Sequence, residues 1–496
     1  MLHHNLINMH KLYTNMVDLR ATYHIIGWII CWVSAMLLIP AATDAIYQNL
    51  DWKVFLLSAG ISAFVGICVV LGGQDSVSHR LNLPQAFFLI TTGWIVVTVF
   101  GAIPFVFTGV SPTDAVFETM SAITTTGSTI FTEIDTLPPG LLLWRSILQW
   151  IGGIGIIAIA VLILPMLKIG GMQLFKIESS GTESEADRFT KNTIYRLSLV
   201  YLALTALCVG VYYILGMSFF DAVNHAMTTI STGGYSTHNA SFGHFKELSL
   251  HWAGTVFMIC GAIPFFLFVK MTLGNYRAII TDQQVKGFLL FLLLSSAFMT
   301  LWLVNEREIS VFHALTLTSF NITSVVTTTG FATDDYTAWG HGAVGMFLVL
   351  MFVGGCSGST AGAIKIYRYQ VLWIFVRSHL KKLLSPNRVI IMKYNGRPLA
   401  NDVPSSVLAF LAVFIATIAI FTVILSLLGL DIVTAYSASV TAITNVGPGM
   451  GHIIGPSGTF QPLSDVAKWV LTVAMLAGRL EVLVLLIFFE REFWTN

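Results

Sequence analysis

The sequence predicts an all-α polytopic membrane protein, in which two extra N-terminal helices precede four helix–half-helix–helix repeats with pseudo-fourfold symmetry around a central pore. The first observation is composition: of 496 residues, 55% are hydrophobic and 10% charged, whereas a soluble domain carries roughly 25% charged residues. The second is that apolar runs of about 20 residues, long enough to cross a bilayer core, recur along the chain. The third is a polar motif that occurs four times between those runs.

The apolar runs and their charged borders define the elements in order. A first pair of helices is expected near 22–42 and 53–73, and further apolar helices near 85–108, 141–167, 193–216, 250–272, 285–304, 341–376, 403–429 and 464–489. Polar Gly/Thr-rich segments lie between them near 111–139, 218–248, 309–338 and 431–460. The chain therefore divides into a cytoplasmic tail (1–21), a two-helix extension (22–80) and four pore repeats at 81–192, 193–283, 284–400 and 401–496.

The positive-inside rule favours a cytoplasmic N-terminus for this layout. With that orientation most Lys and Arg residues fall on the cytoplasmic side, and all four Gly/Thr-rich segments fall on the other. The basic residues on the opposite side are Lys53, Arg145, Lys246, Arg307 and Lys468, and those at membrane depth are Lys365 and Arg479.

The same composition excludes several other classes of protein. The net charge of +1 gives no indication of nucleic acid binding. The stretch "GGIG" at 152–155 lies inside an apolar helix with no strand before it, so it is not a nucleotide-binding loop, and we expect no cofactor in this chain. An intramembrane enzyme would need a metal, paired-aspartate or Ser/His site at membrane depth, and no such constellation occurs in the sequence.

The polar motif is an internal repeat with a fixed register. Aligned on their glycines, the copies read "MSAITTTGST" at Gly127, "MTTISTGGYST" at Gly234, "TSVVTTTGFAT" at Gly330 and "VTAITNVGPGM" at Gly447. Each follows a helical stretch of about ten residues, which is too short to span a bilayer but suits a re-entrant half-helix. Non-helical backbone at membrane depth must be buried in protein or line a watery cavity. Four such segments can surround a pore with carbonyl oxygens that replace an ion's hydration shell.

An alternative interpretation is that these Thr, Ser and Gly residues only permit close helix packing, as small residues do in many membrane proteins. Four copies in one register and on one predicted side favour the pore. Between Ser111 and Gly140 the sequence has no Lys or Arg and four acidic residues, Asp114, Glu118, Glu133 and Asp135, which would raise the local cation concentration. Glu118, His225 and Asn321 occupy matching positions in three copies, and we expect them to support the filter backbone through hydrogen bonds.

These features resemble the TrkH branch of the TrkH/KtrB/HKT potassium-uptake superfamily. The resemblance extends through "RSILQWIGGIGIIAIAVLILP" (145–165), "GGYSTHNAS" (233–241), "GGCSGSTAGAIKIYR" (354–368) and "LAGRLEVLVLL" (476–486). It implies potassium uptake through a gated, cation-selective pore. Potassium is implied as the main transported ion because all four filter glycines are present, and sodium permeation stays open. The implied potassium-binding filter residues are Thr125, Thr126, Gly127, Thr232, Gly233, Gly234, Thr328, Thr329, Gly330, Asn445, Val446 and Gly447. Main-chain carbonyls are expected to make most of the contacts.

A second glycine-rich stretch, "GGCSGSTAGAIK", interrupts the apolar run from Gly342 to Phe375. Its small and hydroxyl residues favour a break in the helix over a close helix crossing. In the resembled family this stretch is an intramembrane gate loop, here 354–363. The resemblance implies that the gate residues are Gly354, Gly355, Cys356, Ser357, Gly358, Ser359, Thr360, Gly362, Lys365 and Arg479.

Arg479 is a charge inside an apolar helix, where it is costly unless it faces a cavity or a partner. Glu481 lies two positions along the expected helix, so the two side chains would point in different directions. We therefore expect Arg479 to point into the pore, bonded to water or to carbonyls of the gate loop, and to limit cation conduction. Lys365, at the end of the gate loop, either limits cation conduction in the same way or extends its side chain to the cytoplasmic surface.

The resemblance also implies partners and a location. These are a cytoplasmic nucleotide-binding regulatory subunit of the TrkA type, a homodimer, and the lipid of the bacterial inner membrane. The basic loops 168–196, 270–286 and 377–397 are candidate docking surfaces, with ordinary solvated loops as the alternative. A symporter that couples potassium to protons or sodium stays open as the alternative mechanism.

Overall fold

The computed structural model of the chain describes residues 19–73, 82–162 and 183–494. The predicted tail up to residue 18 and the part of the first basic loop at 168–182 lie outside the described residues. In chain order the helices are α1 (Arg20–Ile46), α2 (Trp52–Gly72), α3 (Leu83–Phe107), α4 (Pro112–Ile123), α5 (Pro139–Leu162), α6 (Glu183–Ile214), α7 (Phe219–Ile230), α8 (Leu248–Ala262), α9 (Phe265–Thr272), α10 (Arg277–Thr281), α11 (Gln283–Arg307), α12 (Val311–Val326), α13 (His341–Leu350), α14 (Ile366–Leu384), α15 (Val403–Leu427), α16 (Ile432–Thr444), α17 (Asp465–Arg479), α18 (Val482–Leu486) and α19 (Arg491–Trp494).

Within the described ranges, seven helices are long and apolar enough to cross a membrane, or up to nine if each of two bent pairs is one span. The multi-pass, all-α architecture is therefore as predicted. The continuous helices expected near 250–272 and 464–489 are wrong, because α8 and α9 meet at 92° and α17 ends at Arg479, before α18 begins at Val482. Pro264 explains the first break, since it lacks an N–H and disfavours helical geometry at the preceding residue. At the second break Glu481 has a φ of 61°.

The run expected near 341–376 is broken as predicted, between the end of α13 at Leu350 and the start of α14 at Ile366. Helices α5, α11 and α15 run without a break through their described lengths. Two short strands, β1 (Lys393–Tyr394) and β2 (Arg397–Pro398), pair antiparallel after α14. The Asn395–Gly396 turn between them has positive φ at both residues, as two-residue hairpins require.

The chain divides into two compact units. The first comprises the chain up to Val116 with Pro138–Leu141 and the stretch from Leu480 onward, and the second comprises Phe117–Leu137 and Leu142–Arg479. In the first unit, glycines bring α1 and α2 close together, because a Cβ atom at Gly27 or Gly66 would clash with backbone of the facing helix. In the same unit the buried carboxylate of Asp44 accepts a hydrogen bond of 2.6 Å from the backbone N–H of Gly140, near the start of α5.

All four half-helices, α4, α7, α12 and α16, begin at a residue whose side chain satisfies a free backbone N–H of the first turn. Ser111, Ser218, Ser310 and Asp431 each accept a hydrogen bond from the backbone N–H three residues later. Ser and Asp are preferred at this position because their side-chain oxygens accept from backbone N–H groups of the first turn, which have no partner within the helix. The sequence therefore sets the start of each half-helix, and with it the position of the glycine segment that follows.

Candidate functional site: a ring of four glycine segments

The four glycine segments share one unusual backbone conformation. Two residues before each glycine, the chain takes a left-handed φ between 52° and 57°, at Thr125, Thr232, Thr328 and Asn445. The glycines themselves have φ values of 89°, 75°, 83° and 107°. Positive φ is strained for a β-branched residue such as threonine. Strained backbone that recurs at one register position in every repeat indicates a functional constraint.

The segments form a closed ring in chain order. A Cβ atom at Gly127 would clash with the carbonyl oxygen of Gly233, and one at Gly234 with that of Thr329. Likewise, a Cβ at Gly330 would clash with the carbonyl of Val446, and one at Gly447 with the carbonyl of Thr126. Each glycine thus packs against the carbonyl of the residue preceding the next glycine, and the fourth returns to the first. Only glycine fits, because it supplies both the positive φ and the missing side chain.

A cavity of about 120 Å³ lies at one end of this ring, and we call it the outer cavity. All four glycines line it, together with Tyr235, Ser236, His238 and Pro448 among others. The four half-helices end at the ring, at Ile123, Ile230, Val326 and Thr444. Helix C-termini carry partial negative charge. The ring therefore combines backbone carbonyls with four helix ends, an arrangement suited to a cation.

Glu118, one of the predicted filter supports, lies behind the first segment in a buried ion pair. Its carboxylate accepts hydrogen bonds from the backbone N–H of Ile130 (2.9 Å) and the hydroxyl of Thr129 (3.1 Å). The guanidinium of Arg145 contacts it at 2.8 Å, and the two side chains are 0% and 1% exposed. Sequence reasoning placed Arg145 among the outer basic residues and missed this role. The sequence signal for this pair was a basic residue near the start of an apolar helix, in the same repeat as Glu118.

Arg145 also links the first segment to the second. It donates a hydrogen bond of 3.2 Å to the carbonyl of Ser236, and its guanidinium lies 4.1 Å from the ring centroid of Tyr235. The hydroxyl of Tyr235 in turn shares its single proton between the carbonyl oxygens of Glu118 (3.1 Å) and Ser128 (3.0 Å). Tyr235 belongs to the second segment, so these contacts fix the backbone of the first segment to the second.

Gln149 is a second residue that sequence reasoning missed. It is fully buried. Its side-chain amide donates a hydrogen bond of 2.7 Å to the carbonyl of Gly233 and accepts one of 3.0 Å from the backbone N–H of Tyr235. Its amide therefore brackets Gly234 on both sides. A lone glutamine in an apolar helix gives only a weak signal, since its partners are distant in the sequence.

The other two predicted supports occupy the positions that correspond to Glu118. The imidazole of His225 lies 2.9 Å from the hydroxyl of Ser236, and Asn321 accepts 3.2 Å from the backbone N–H of Thr333. In the fourth repeat the equivalent contact comes from Ser437, which accepts 3.0 Å from the backbone N–H of Met450. Ser437 was missed because it lies one position earlier in the register than the other three.

The first and fourth segments are also joined directly. Ser128 donates 2.8 Å to the carbonyl of Gly447, and the amide of Asn445 donates 2.9 Å to the hydroxyl of Thr126. Asn445 also donates 3.0 Å to the carbonyl of Met475 on α17. The asparagine that replaces threonine in the fourth copy therefore contacts both a neighbouring segment and the helix behind it.

At the end of the ring opposite the outer cavity, residues 351–365 form a non-helical loop between α13 and α14, which contains the predicted gate loop 354–363. Gly354 and Gly358 have positive φ, and Cys356, Ser359 and Thr360 are buried. The backbone N–H of Gly362 donates 2.8 Å to the hydroxyl of Thr328. Below the second segment, the hydroxyl of Thr360 lies 3.2 Å from that of Thr232.

Side chains and backbone of the surrounding helices hold this loop in place. The backbone N–H of Cys356 donates a hydrogen bond of 2.9 Å to the carbonyl of Ala262, where α8 ends. The backbone N–H of Ser357 donates one of 2.8 Å to the side chain of Gln284. Gly355 accepts 3.0 Å from the backbone N–H of Ile366. Lys365 is half-buried and immediately precedes α14, with a φ of 66°.

Arg479 is 3% exposed at the end of α17. Its guanidinium donates 2.9 Å to the carbonyl of Thr360 in the loop and 3.3 Å to the carbonyl of Gly152 on α5. The helix ends at this residue, so the expected continuous helix through Glu481, and the angular argument that rested on it, are wrong. The bond to a gate-loop carbonyl agrees with the expected partner.

Several acidic residues that follow the first and third glycine segments have specific structural partners. Asp334 contacts the guanidinium of Arg307 at 2.9 Å and the indole of Trp339 at 2.7 Å. Asp335 accepts 2.9 Å from the backbone N–H of Thr337. Asp135 contacts the imidazole of His238 at 2.8 Å. Partial burial opposes its ionisation, but the bonds with His238 and the backbone N–H of Asn239 lower the pKa of Asp135.

His238 lies between two carboxylates, with Asp135 on Nδ1 and Asp221 at 3.5 Å from Nε2. Its interaction with Asp221 raises the pKa of His238, against an opposing effect of partial burial, and Asp135 raises it further. The ring of His244 stacks on that of His238, with centroids 3.5 Å apart and an angle of 3° between planes. Burial and then the charge on His238 lower the pKa of His244.

The chain is similar to known transport proteins over almost its whole length. A family model described as TrkH, a cation transport protein, matches residues 58–494. A Trk system potassium uptake protein TrkI from Halomonas elongata is 44% identical over 92% of both chains. A Trk system potassium uptake protein TrkH from Escherichia coli is 31% identical over 96% of this chain and 99% of the relative. The crystal structure of the potassium transporter TrkH from Vibrio parahaemolyticus matches with a TM-score of 0.89 and 31% identity, covering 96% of this chain and all of the other.

Proposed function

The chain belongs to the TrkH family of cation transport proteins, and from this premise we propose that it takes up potassium through a gated, cation-selective pore whose filter is the ring of four glycine segments. Family membership confirms the predicted resemblance and fold class, and the prediction that the chain is a multi-pass transport protein rather than an enzyme. Potassium is the ion named for the relatives in Halomonas elongata and Escherichia coli. The protein itself needs no cofactor in this proposal.

The observation that carries the proposal is the closed ring. Four carbonyls, those of Thr126, Gly233, Thr329 and Val446, approach the neighbouring glycines in chain order. Potassium filters replace hydration water by such carbonyl rings. The full set of proposed filter residues is the one that the resemblance implies, from Thr125 to Gly447.

Gly127→Ser tests the filter. Serine at this position must adopt a φ of 89°, and its Cβ would clash with the carbonyl of Gly233, so we expect the ratio of potassium to sodium flux to fall at least about tenfold while expression falls much less. Fluxes are measured in proteoliposomes with each cation alone. Gly216→Ser is the control, because Gly216 also has positive φ but no atom of the described residues lies within 4 Å of its Cβ position. Equal selectivity in the two variants would contradict the filter assignment.

The loop 351–365 is the proposed gate, with Arg479 as the residue that holds it. The loop bonds directly to Thr328 and Thr232 at the ring, so ions leaving the filter must pass it. Arg479 ties the loop to α5 and places a positive charge beside the path. Loss of both the tie and the charge in Arg479→Ala should raise potassium flux several-fold. Arg479→Lys keeps the charge and should stay closer to wild type; unchanged or lower flux in Arg479→Ala would refute the role.

Passive conduction is favoured over symport because the ring and the loop present mainly carbonyls and hydroxyls. A proton- or sodium-coupled symporter needs a titratable or second-ion site in the path. Potassium flux in proteoliposomes, with and without an imposed proton or sodium gradient, separates the two mechanisms. Accumulation of potassium against its own electrochemical gradient would establish symport.

We further propose that the protein works as a homodimer in the bacterial inner membrane, with its N-terminus in the cytoplasm, under control of a TrkA-type nucleotide-binding subunit. The relatives are named as Trk system proteins, which supports a multi-component assembly. The basic loops 270–286 and 377–397 are the proposed docking surface. Light scattering of the purified protein tests the dimer. Loss of regulator binding after charge reversal in 377–397 tests the docking.

A further inference from the structure

A cluster of one carboxylate and two imidazoles lies beside the outer cavity and has no role in the proposed filter. One ligand atom from each of Asp135, His238 and His244 lies within 4.8 Å of the other two. Asp135 lies in a short 3-10 helix at Ile134–Thr136, and His244 ends another at Ser241–His244. His238 lies between them and also lines the outer cavity.

We propose that Asp135, His238 and His244 form a binding site for a divalent transition cation of the Zn²⁺ type, and that its occupation slows potassium influx. The binding half of this inference depends only on the cluster, whereas the effect on influx rests on the proposed function.

The ligand set is one that Zn²⁺ prefers. Imidazole nitrogen and carboxylate oxygen bind this ion at about 2.0–2.2 Å, and three protein ligands leave a fourth position for water. Asp221 supplies the outer support that metal-bound histidines require, because its carboxylate lies 3.5 Å from Nε2 of His238 and leaves Nδ1 facing Asp135. The hydroxyls of Thr237 (2.6 Å) and Ser218 (2.7 Å) hold Asp221 in turn.

Binding needs only a local rearrangement. Asp135 and His238 are 2.8 Å apart, whereas two donors on one tetrahedral Zn²⁺ lie about 3.4 Å apart. The parallel stack of the two imidazoles must also open, since a metal binds in the plane of each ring. His244 is exposed at the end of its helix, so it can turn toward the metal without disturbing the core. The proton on His238 must leave, so binding is measured at mildly alkaline pH.

A metal at this position acts on the pore through charge. His238 belongs to the wall of the outer cavity, which potassium must cross to reach the four glycines. The carboxylates of Asp135 and Asp221 contact His238 beside this wall, and once His238 has lost its proton they give the cluster a negative charge that exceeds the nearby positive charge of Lys246. A bound dication reverses that sign, and it repels the next cation over a short distance in a partly desolvated space.

Zn²⁺ binding is measured by titration calorimetry on the purified full-length protein. His3, His4 and His10 near the N-terminus offer a competing site, so all variants carry His→Gln at these three positions. We expect one site per chain, with a dissociation constant that rises at least about tenfold in His244→Gln and in Asp221→Asn. His452→Gln is the matched control, an exposed histidine outside the cluster, and should bind like its parent. Equal affinity in His244→Gln and its parent would overturn the site.

Potassium influx into proteoliposomes is then measured with and without Zn²⁺, and with EDTA to reverse binding. The parent and His452→Gln should be inhibited, and His244→Gln should keep its metal-free influx and lose the inhibition. Zn²⁺ binding by the cluster without any change in influx would overturn the regulatory half. Absence of potassium influx without metal would instead refute the proposed function, while calorimetry would still decide the site.

Discussion

Removal of Arg145 should loosen the filter from behind, because Arg145 connects two of its four segments. In Arg145→Met the ion pair with Glu118 is lost, together with the hydrogen bonds to Ser236 and Thr129. The carboxylate of Glu118 then stays buried without a counter-charge. Removing one partner of a buried ion pair costs about 3–5 kcal/mol, and we expect the free energy of unfolding to fall by that amount.

The double variant Glu118→Gln with Arg145→Met separates the charge effect from the packing effect. It removes the uncompensated charge, while the glutamine amide oxygen can still accept from the backbone N–H of Ile130. We expect it to recover about 2 kcal/mol relative to Arg145→Met alone, a coupling that a double-mutant cycle measures. Unfolding is followed by tryptophan fluorescence in detergent during denaturant titration.

Arg307→Met is the matched control, since the Arg307–Asp334 pair has similar geometry at 2.9 Å but is about one-third exposed. Exposed pairs contribute about 0–1 kcal/mol, so this variant should stay near wild type. In proteoliposomes the ratio of potassium to sodium flux should fall for Arg145→Met and not for Arg307→Met. If both variants unfold at the same denaturant concentration and keep the same selectivity, the support role of Arg145 is wrong.

Two further predictions concern close packing around the ring. Gln149→Leu removes the hydrogen bonds of Gln149 to the buried carbonyl of Gly233 and the N–H of Tyr235. It should therefore lower the free energy of unfolding by about 2–4 kcal/mol and reduce selectivity, as measured by the same titration and flux assays. Wild-type stability and selectivity would contradict the role of Gln149. Gly152→Ala places a Cβ against the carbonyl of Ile123 at the end of the first half-helix, so folded yield in size-exclusion chromatography should fall sharply. Gly60→Ala should fold normally, because none of the residues that the structure covers comes within 4 Å of the new Cβ, and equal yields for the two variants would refute the steric argument.

The elements that could be predicted from the sequence are those with local signals. Hydropathy gave the apolar helices, and the Gly/Thr motif gave the half-helices and the register of Gly127, Gly234, Gly330 and Gly447. The break before Ile366 was also local, because consecutive small residues cannot maintain a helix. The bend after Ala262 carried a local signal in Pro264, but the apolar run was continuous and suggested one helix.

The residues that were missed act over long sequence distances. Arg145 bonds to Ser236 and Gln149 to Gly233, and in each case the partner lies in the next repeat. No periodicity within one segment indicates such a pair. The break after Arg479 depends on Glu481 adopting a positive φ, which glutamate does not favour. The closure of the ring was predictable from the repeat, whereas the contacts that hold it required the structure.

The supporting contacts explain how strained backbone persists at the ring. Each left-handed residue costs of order 1–3 kcal/mol and is retained only if the surroundings determine its conformation. In all four repeats a half-helix side chain, from Glu118, His225, Asn321 or Ser437, bonds to the chain just beyond the glycine and so fixes both ends of the segment. Among the residues that the structure describes, only the first repeat uses a buried ion pair for this purpose, and that pair also holds the second segment. Strain in the first two segments is therefore coupled through Arg145, and a substitution there should disturb selectivity more than the equivalent change at Asn321 or Ser437.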